Sequence, residues 1–295
     1  MKRDHRANTV GPWAQQKLSA LEQYLEFYGT ALSKQKFTRI YIDAFAGACV
    51  AKIRNSDIPA EPTPFFDDPE ASSAQEQFIL GSPIRALNIK HSFHKYYFFD
   101  LDESRAEELG VVTRGRPDVE VRVGDCNPLI RELVPMLRGK GVRGVAFLDP
   151  YGAHLEWETL EALASTGTME VVINFPVAMA INRLIKRSGE IPEKWSDQLD
   201  RCFGTSEWRD VAYRRTFDLF GEEITSKKEG VAQELLDLYL RRLSQMFPFV
   251  APPRLIRNTR QSPLYYLLWA GPNRLGLKVA AHILAQGEKL NVKTR

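Results

Sequence analysis

Four aspartates, Asp43, Asp100, Asp125 and Asp149, each follow a short hydrophobic run, at residues 40–42, 94–99, 119–123 and 144–148. Runs rich in β-branched and aromatic residues read as buried strands. In an α/β sheet, ligands bind outside the carboxyl ends of the strands. Four acids at successive strand tips are better explained by one shared ligand site than by four unrelated turns.

The first tip reads Asp43-Ala44-Phe45-Ala46-Gly47. Its small residues predict a turn that presents backbone N–H groups to a ligand, and its acid suits a cation. The sequence lacks both G-x-G-x-x-G and G-x-x-x-x-G-K-[ST], so the dinucleotide and nucleoside-triphosphate readings lose their main support. A carboxylate beside a small turn fits S-adenosylmethionine, whose amino-acid end carries an ammonium group; an ordinary strand-to-helix loop is the competing reading. Residues 43–47 are therefore assigned to cofactor binding. Asp100, followed by Leu101, is placed to accept from two ribose hydroxyls, while Asp102 caps a helix at 103–109. Asp125, followed by Cys126, is placed to accept from an adenine amino group; its competing role is the N-cap of a helix at 128–137.

The fourth tip, Asp149-Pro150-Tyr151-Gly152, carries the expected catalytic residues. Pro150 stiffens the turn and Gly152 admits a substrate. Asp149 and the Pro150 carbonyl accept from an exocyclic amine, on whose ring Tyr151 stacks. A plain turn is the alternative. No metal is expected, because His91 and His94 have no carboxylate or cysteine in register.

These tips need a scaffold. Leu18, Leu21, Leu25, Tyr28 and Leu32 predict an amphipathic helix over 13–32 ahead of the first strand. Residues 51–80 are acidic and interrupted by Pro59, Pro62, Pro64 and Pro69, an insertion that is either solvated or a lid. Gly81-Ser82-Pro83 predicts a helix start with Ser82 as N-cap. A helix at 155–164 and a fifth strand at 169–175 follow. Residues 176–228 read as a mainly helical insertion whose aromatics (Trp195, Phe203, Trp208, Tyr213) belong either to the core or to a cover over the site. A helix at 231–246, strands at 253–258 and 263–270 and a closing helix end the chain. Arg254, Arg257 and Arg260 read as a solvated face or as phosphate contacts. The fold class expected from the order of elements is α/β: a doubly wound sheet of seven strands ending in an antiparallel hairpin, as one domain over 1–295.

Composition agrees with that scaffold. The chain has 295 residues, 44% hydrophobic and 26% charged, values of a soluble globular protein. A net charge of +3 permits nucleic acid as a partner without requiring it. No apolar run approaches a membrane span or the core of a signal peptide. Cys49, Cys126 and Cys202 are far apart, which points to a reducing cytoplasm rather than a disulfide framework or zinc site.

Tyr-Ile-Asp-Ala-Phe-Ala-Gly (41–47), Gly-Ser-Pro…Ala-Leu (81–87), Phe-Leu-Asp-Pro-Tyr-Gly (147–152), Glu-Trp-Glu-Thr (156–159), Phe-Pro…Asn-Arg (175–183) and Phe-Gly-Thr…Trp (203–208) resemble the three-Cys-motif partner protein (TcmP) family. The resemblance runs from about residue 13 to the end. It implies a methyltransferase-like Rossmann fold, encoded beside a radical-enzyme-like protein that carries the three-cysteine motif. The cysteines here do not reproduce that motif, and the long acidic 51–80 segment departs from the family. Separately, Asp149–Gly152 resembles the Asp-Pro-Pro-Tyr signature of amino-methyltransferases acting on nucleobases, with Tyr151 in place of its second proline and Gly152 in place of its aromatic. The leading expectation is an S-adenosylmethionine-dependent N-methyltransferase acting on a base of DNA or RNA. The alternative is a cofactor-binding partner of the three-Cys-motif protein that transfers nothing. A dehydrogenase is disfavoured by the missing glycine fingerprint.

Overall fold

A computed structural model describes residues 9–53, 78–217, 220 and 223–290. The first half runs β1 (Thr9–Val10), α1 (Trp13–Leu32), β2 (Thr38–Asp43), β3 (Val50–Ile53), β4 (Phe78–Leu80), α2 (Ser82–Leu87), β5 (Lys95–Asp100), α3 (Glu103–Val112), β6 (Val119–Val123), α4 (Cys126–Leu137) and β7 (Val142–Leu148). Next come α5 (Trp157–Ser165), β8 (Met169–Phe175), a π-helical turn at Val177–Ile181, α6 (Asn182–Leu184), α7 (Glu193–Phe203) and α8 (Trp208–Ala212). The chain closes with β9 (Tyr213–Phe217), β10 (Glu223–Lys227), α9 (Val231–Met246), β11 (Phe249–Val250), β12 (Arg254–Arg257), β13 (Pro263–Gly271) and α10 (Arg274–Leu290).

The central sheet has the order β11-β13-β8-β7-β2-β5-β6, with β12 also paired to β13. Strands β6, β5, β2, β7 and β8 are parallel, whereas β13 enters antiparallel between β8 and β12. This is the doubly wound, Rossmann-like sheet with an antiparallel end expected from the sequence, with the two-residue β11 as an eighth strand. From β2 the chain moves outward through β5 and β6, then returns to β7 on the other side of β2. The order therefore reverses between β2 and β7, and a crevice opens there at the carboxyl ends.

Successive strand residues alternate between two cores, as a period of two requires. Ile40, Ile42, Tyr97 and Phe99 face one core; Tyr41, Tyr96 and Phe98 face the other, with Tyr24, Leu25 and Trp269. The second core is covered by α1 and α10.

The ends of the 51–80 segment are ordered strands, not a featureless insertion. β3 pairs antiparallel with β4 and parallel with β1. Ala14 and Leu18 of α1 pack beneath this small sheet against Ala51 and Ile79, because those apolar side chains have nothing else to cover them. Residues 54–77, the greater part of the 51–80 segment read as a solvated insertion or a lid, lie outside the described residues. Ser82 is not the N-cap of α2 but its first residue, with Gly81 in the cap position.

The 176–228 insertion is not helical throughout. Its strands β9 and β10 form a separate antiparallel pair. Phe203 and Trp208 are fully buried, and Phe203 meets the Tyr239 ring edge-on at 5.8 Å, so these aromatics build the core. Arg254 is buried rather than on a solvated face, and it donates to Gln16 at 3.4 Å. Among the described residues, no helix is long and apolar enough to cross a membrane.

Candidate functional site

The switch point brings Asp43 and Asp149 to one place. Asp43 ends β2 opposite Phe147 of β7, and Asp149 follows Leu148, the last residue of β7. Asp43 is completely buried. The Tyr41 hydroxyl donates to its Oδ2 at 3.3 Å, while its Oδ1 has no hydrogen-bond partner. Burial pushes its carboxyl up to about 7, against the pull of the Ser82 hydroxyl and with a further push from the Asp149 charge. Sealed in this way, the carboxyl holds its proton more readily than a free aspartate, and a cation brought to it would favour the ionised form.

The turn after β2 differs from expectation. The Ala44 amide donates to the Phe147 carbonyl at 3.0 Å and the Ala46 amide to the Phe99 carbonyl at 2.8 Å. The Gly47 amide donates to Asp100 Oδ2 at 2.7 Å. None of these three amides is offered to a ligand, because the turn still lies between β5 and β7 and completes their hydrogen bonding. Gly47 has φ +66°, a left-handed conformation that disfavours a Cβ. Phe45 packs against the core.

Asp100 Oδ1 accepts from the Asp102 amide at 2.8 Å, so each oxygen already holds one backbone N–H. A carboxylate has about four lone-pair sites, so Asp100 can accept further hydrogen bonds, although Arg105 Nη1 already stands 3.9 Å from Oδ2 as an ion pair. Leu101 beside it is 69% exposed, an uncovered apolar surface at the strand tip. Asp102 caps α3 through the Arg105 amide at 3.1 Å, as expected.

Asp125 fills its competing role. It caps α4, accepting from the Asn127 amide and side chain at 2.9 Å each. The Cys126 side chain packs in the core, where burial pushes its thiol far up.

Asp149 is held from two sides that the sequence did not reveal. Lys17 of α1 forms an ion pair with Oδ2. Asn174 Nδ2, from the end of β8, donates to Oδ1 at 2.5 Å. With its nitrogen committed to Asp149, Asn174 leaves Oδ1 buried and unpartnered. Lys17 Nζ also lies 5.6 Å from the centre of the Tyr265 ring. Pro150 is buried, whereas Tyr151 is 79% exposed, standing into solvent at the mouth of the crevice. Gly152 has φ +66°, and a methyl built on it would lie 4.0 Å from Ala180 Cβ. The π-helical turn thus stands beside this loop, and such turns recur at functional sites.

Asn127 joins the third tip to the fourth. Its Nδ2 donates to the His154 carbonyl at 2.9 Å, and its Oδ1 accepts from the Glu156 amide at 3.0 Å and from Thr159 Oγ1 at 2.9 Å. With the bond to Asp125, all four of its capacities are met. Sequence reasoning missed Lys17, Asn127 and Asn174. Asn174 did carry a signal, as the polar penultimate residue of an otherwise apolar strand.

The residues present fit S-adenosylmethionine. Asp43 Oδ1 is an orphaned buried acceptor suited to an ammonium donor, and Asp100 keeps acceptor capacity for hydroxyls beside the exposed Leu101.

No protein-family model and no curated protein matches the sequence. Among solved structures, the chain is similar to human methyltransferase-like protein 13 in complex with SAH, at 11% identity, covering 95% of this chain and 93% of that one, with a TM-score of 0.43. A Legionella pneumophila protein is 14% identical over 90% of this chain and 98% of its own, with a TM-score of 0.42. Spermidine synthase from Thermotoga maritima is 11% identical over 88% of this chain and 62% of its own, with a TM-score of 0.40. Similarity at this level bears on neither activity nor residue roles.

Proposed function

We propose that the chain is an S-adenosylmethionine-dependent N-methyltransferase acting on an exocyclic amine of a nucleic-acid base. The observation that carries this reading is the orphaned Asn174 Oδ1 beside Asp149 at the switch point. An amine offers two N–H donors, and the two neighbouring acceptors suit it. Asp43 would hold the cofactor's ammonium and Asp100 its ribose hydroxyls. The cofactor, when bound, supplies an electrophilic methyl group. Asp149 and Asn174 would hold the amine N–H groups and turn the nitrogen lone pair toward the place where that methyl group would be supplied. The proton released from nitrogen leaves past Asp149 to water. Orientation of this kind supplies much of a transfer enzyme's rate. The exposed Tyr151 ring suits stacking on a base entering from solvent. Exposed Lys186, Arg187 and Arg214 lie about the β9–β10 pair and suit a polyanion.

The test is single-turnover methyl transfer to DNA and RNA by wild type and Asp149→Ala, with cofactor titration alongside. Loss of the orienting carboxylate is expected to lower the rate about 10²–10⁴-fold with little change in cofactor affinity. An active Asp149→Ala protein removes the turn from the mechanism. A wild type that binds cofactor and transfers to nothing favours a second reading, a non-catalytic partner of a three-Cys-motif protein. The observation on its side is that Lys17 already sits on Asp149.

A further inference from the structure

The Lys17–Asp149 pair decides what kind of amine the crevice can take. We propose that Lys17 is a specificity-determining residue that makes the site select neutral, ring-conjugated amines and reject cationic alkylamines, because its ammonium already fills the cation position on Asp149. The inference rests on the methyltransferase reading for its biological sense but on geometry for its substance.

Lys17 is fixed from several directions. Its neighbours Ala14 and Leu18 are buried beneath the small β1-β3-β4 sheet, and Leu21, one turn on, is fully buried. Buried Arg85 ties the same helix to α2 and β4: it pairs with Glu22, donates to Gln15 Oε1 at 3.2 Å and donates to the Leu80 carbonyl at 3.0 Å. The Lys17 side chain is only 13% exposed and lies near the Tyr265 ring. It cannot swing into open water without leaving Asp149 and that ring together.

A carboxylate at this edge without Lys17 would attract any ammonium ion. With Lys17 in place, a cationic amine must either displace a tethered lysine or sit beside a like charge. A neutral amine meets neither cost. It needs only acceptors, and Asn174 Oδ1 and the remaining lone pairs of Asp149 provide them. A ring-conjugated amine is neutral near pH 7, whereas an alkylamine is charged, like a lysine side chain.

The test compares wild type, Lys17→Met and Lys17→Arg. Methionine keeps length and apolar contact, arginine keeps the charge, and thermal melts of each verify folding. In cofactor-free protein, saturation-transfer NMR reports binding of n-butylammonium. Lys17→Met is expected to bind it at least about 30-fold more tightly than wild type. Lys17→Arg should behave as wild type, and Lys17→Met combined with Asp149→Asn should lose the gain. Calorimetry then gives the ratio of S-adenosylmethionine to S-adenosylhomocysteine affinity, which should move about tenfold toward the cationic sulfonium in Lys17→Met. Equal butylammonium binding in all the variants overturns the proposal. A gain in butylammonium binding with no cofactor binding by any variant leaves the role of Lys17 standing and removes the methyltransferase reading instead.

Discussion

The Gly47 amide donates to Asp100 Oδ2 at 2.7 Å, so the turn after β2 and the tip of β5 form one unit. The carboxylate that would receive the ribose also holds the backbone that shapes the first turn. Charge-assisted hydrogen bonds contribute roughly 1.5–3 kcal/mol each. Asp100→Ala is therefore expected to weaken S-adenosylhomocysteine binding about 10- to 150-fold by calorimetry. It should also lower the melting temperature, since the Gly47 and Asp102 amides lose their acceptor. Unchanged affinity would dissociate Asp100 from the cofactor.

Asn127 predicts a coupled loss. Its four hydrogen bonds tie Asp125, His154, Glu156 and Thr159 together. Asn127→Ala leaves several buried groups unpaired, at about 1–3 kcal/mol for each group so exposed. The melting temperature should fall, and single-turnover transfer should fall with it because the loop after Asp149 loses its anchor. Asp125→Ala removes one helix cap and one of the four bonds of Asn127, and a smaller loss of about 1–2 kcal/mol is expected. A denaturant titration of both variants separates the two cases.

Two buried carboxyls make stability depend on pH. Glu170 is buried and accepts from the Tyr24 hydroxyl; burial pushes it up to about 7 from 4.5. Asp43 is pushed up to about 7 from 3.8. The folded state thus holds protons that the unfolded chain has released, so stability falls as pH rises to about 7, from 3.8 for Asp43 and from 4.5 for Glu170. The slope is at most about 1.4 kcal/mol per pH unit for each group. Melting curves at pH 5, 6, 7 and 8 should show this decline. Glu170→Gln should flatten it and raise the melting temperature at pH 8; an equally steep decline in Glu170→Gln would exclude Glu170 as its source.

If nucleic acid is the substrate, its affinity depends on salt. Each phosphate neutralised on a single strand contributes about 0.7 to the slope of log K against log salt. Replacing Lys186, Arg187 and Arg214 by alanine should reduce that slope by about 2 and weaken all sequences alike. Fluorescence anisotropy with labelled oligonucleotides at several salt concentrations measures it. A triple variant with the wild-type slope would locate the polyanion elsewhere.

The parallel strands were legible because burial on both faces leaves near-continuous hydrophobic runs. β8, buried along its whole length, has the bounds the sequence predicted. The aspartates at the tips were legible for the same reason, as acids that end such runs. The β9–β10 pair was not: Tyr-Arg-Arg-Thr-Phe and Glu-Ile-Thr-Ser-Lys are short and polar, and their pairing is tertiary information. The amides of Ala44, Ala46 and Gly47 were misjudged because their partners belong to neighbouring strands. Lys17 reads as an ordinary charge on the polar face of α1, and its partner stands 132 positions away.

Strand β13 has a consequence for synthesis. Among the described strands of the sheet it comes latest in sequence, yet it lies inside the sheet, between β8 and β12. On the ribosome, every acid of the crevice emerges well before β13, while the outer edge of β8 stays open. Exposed, apolar strand edges invite pairing with other chains. A nascent chain thus carries its full set of site residues while still holding a sticky edge. Its yield should depend on how quickly residues 263–271 clear the exit tunnel, or on a chaperone that shields β8 until they do.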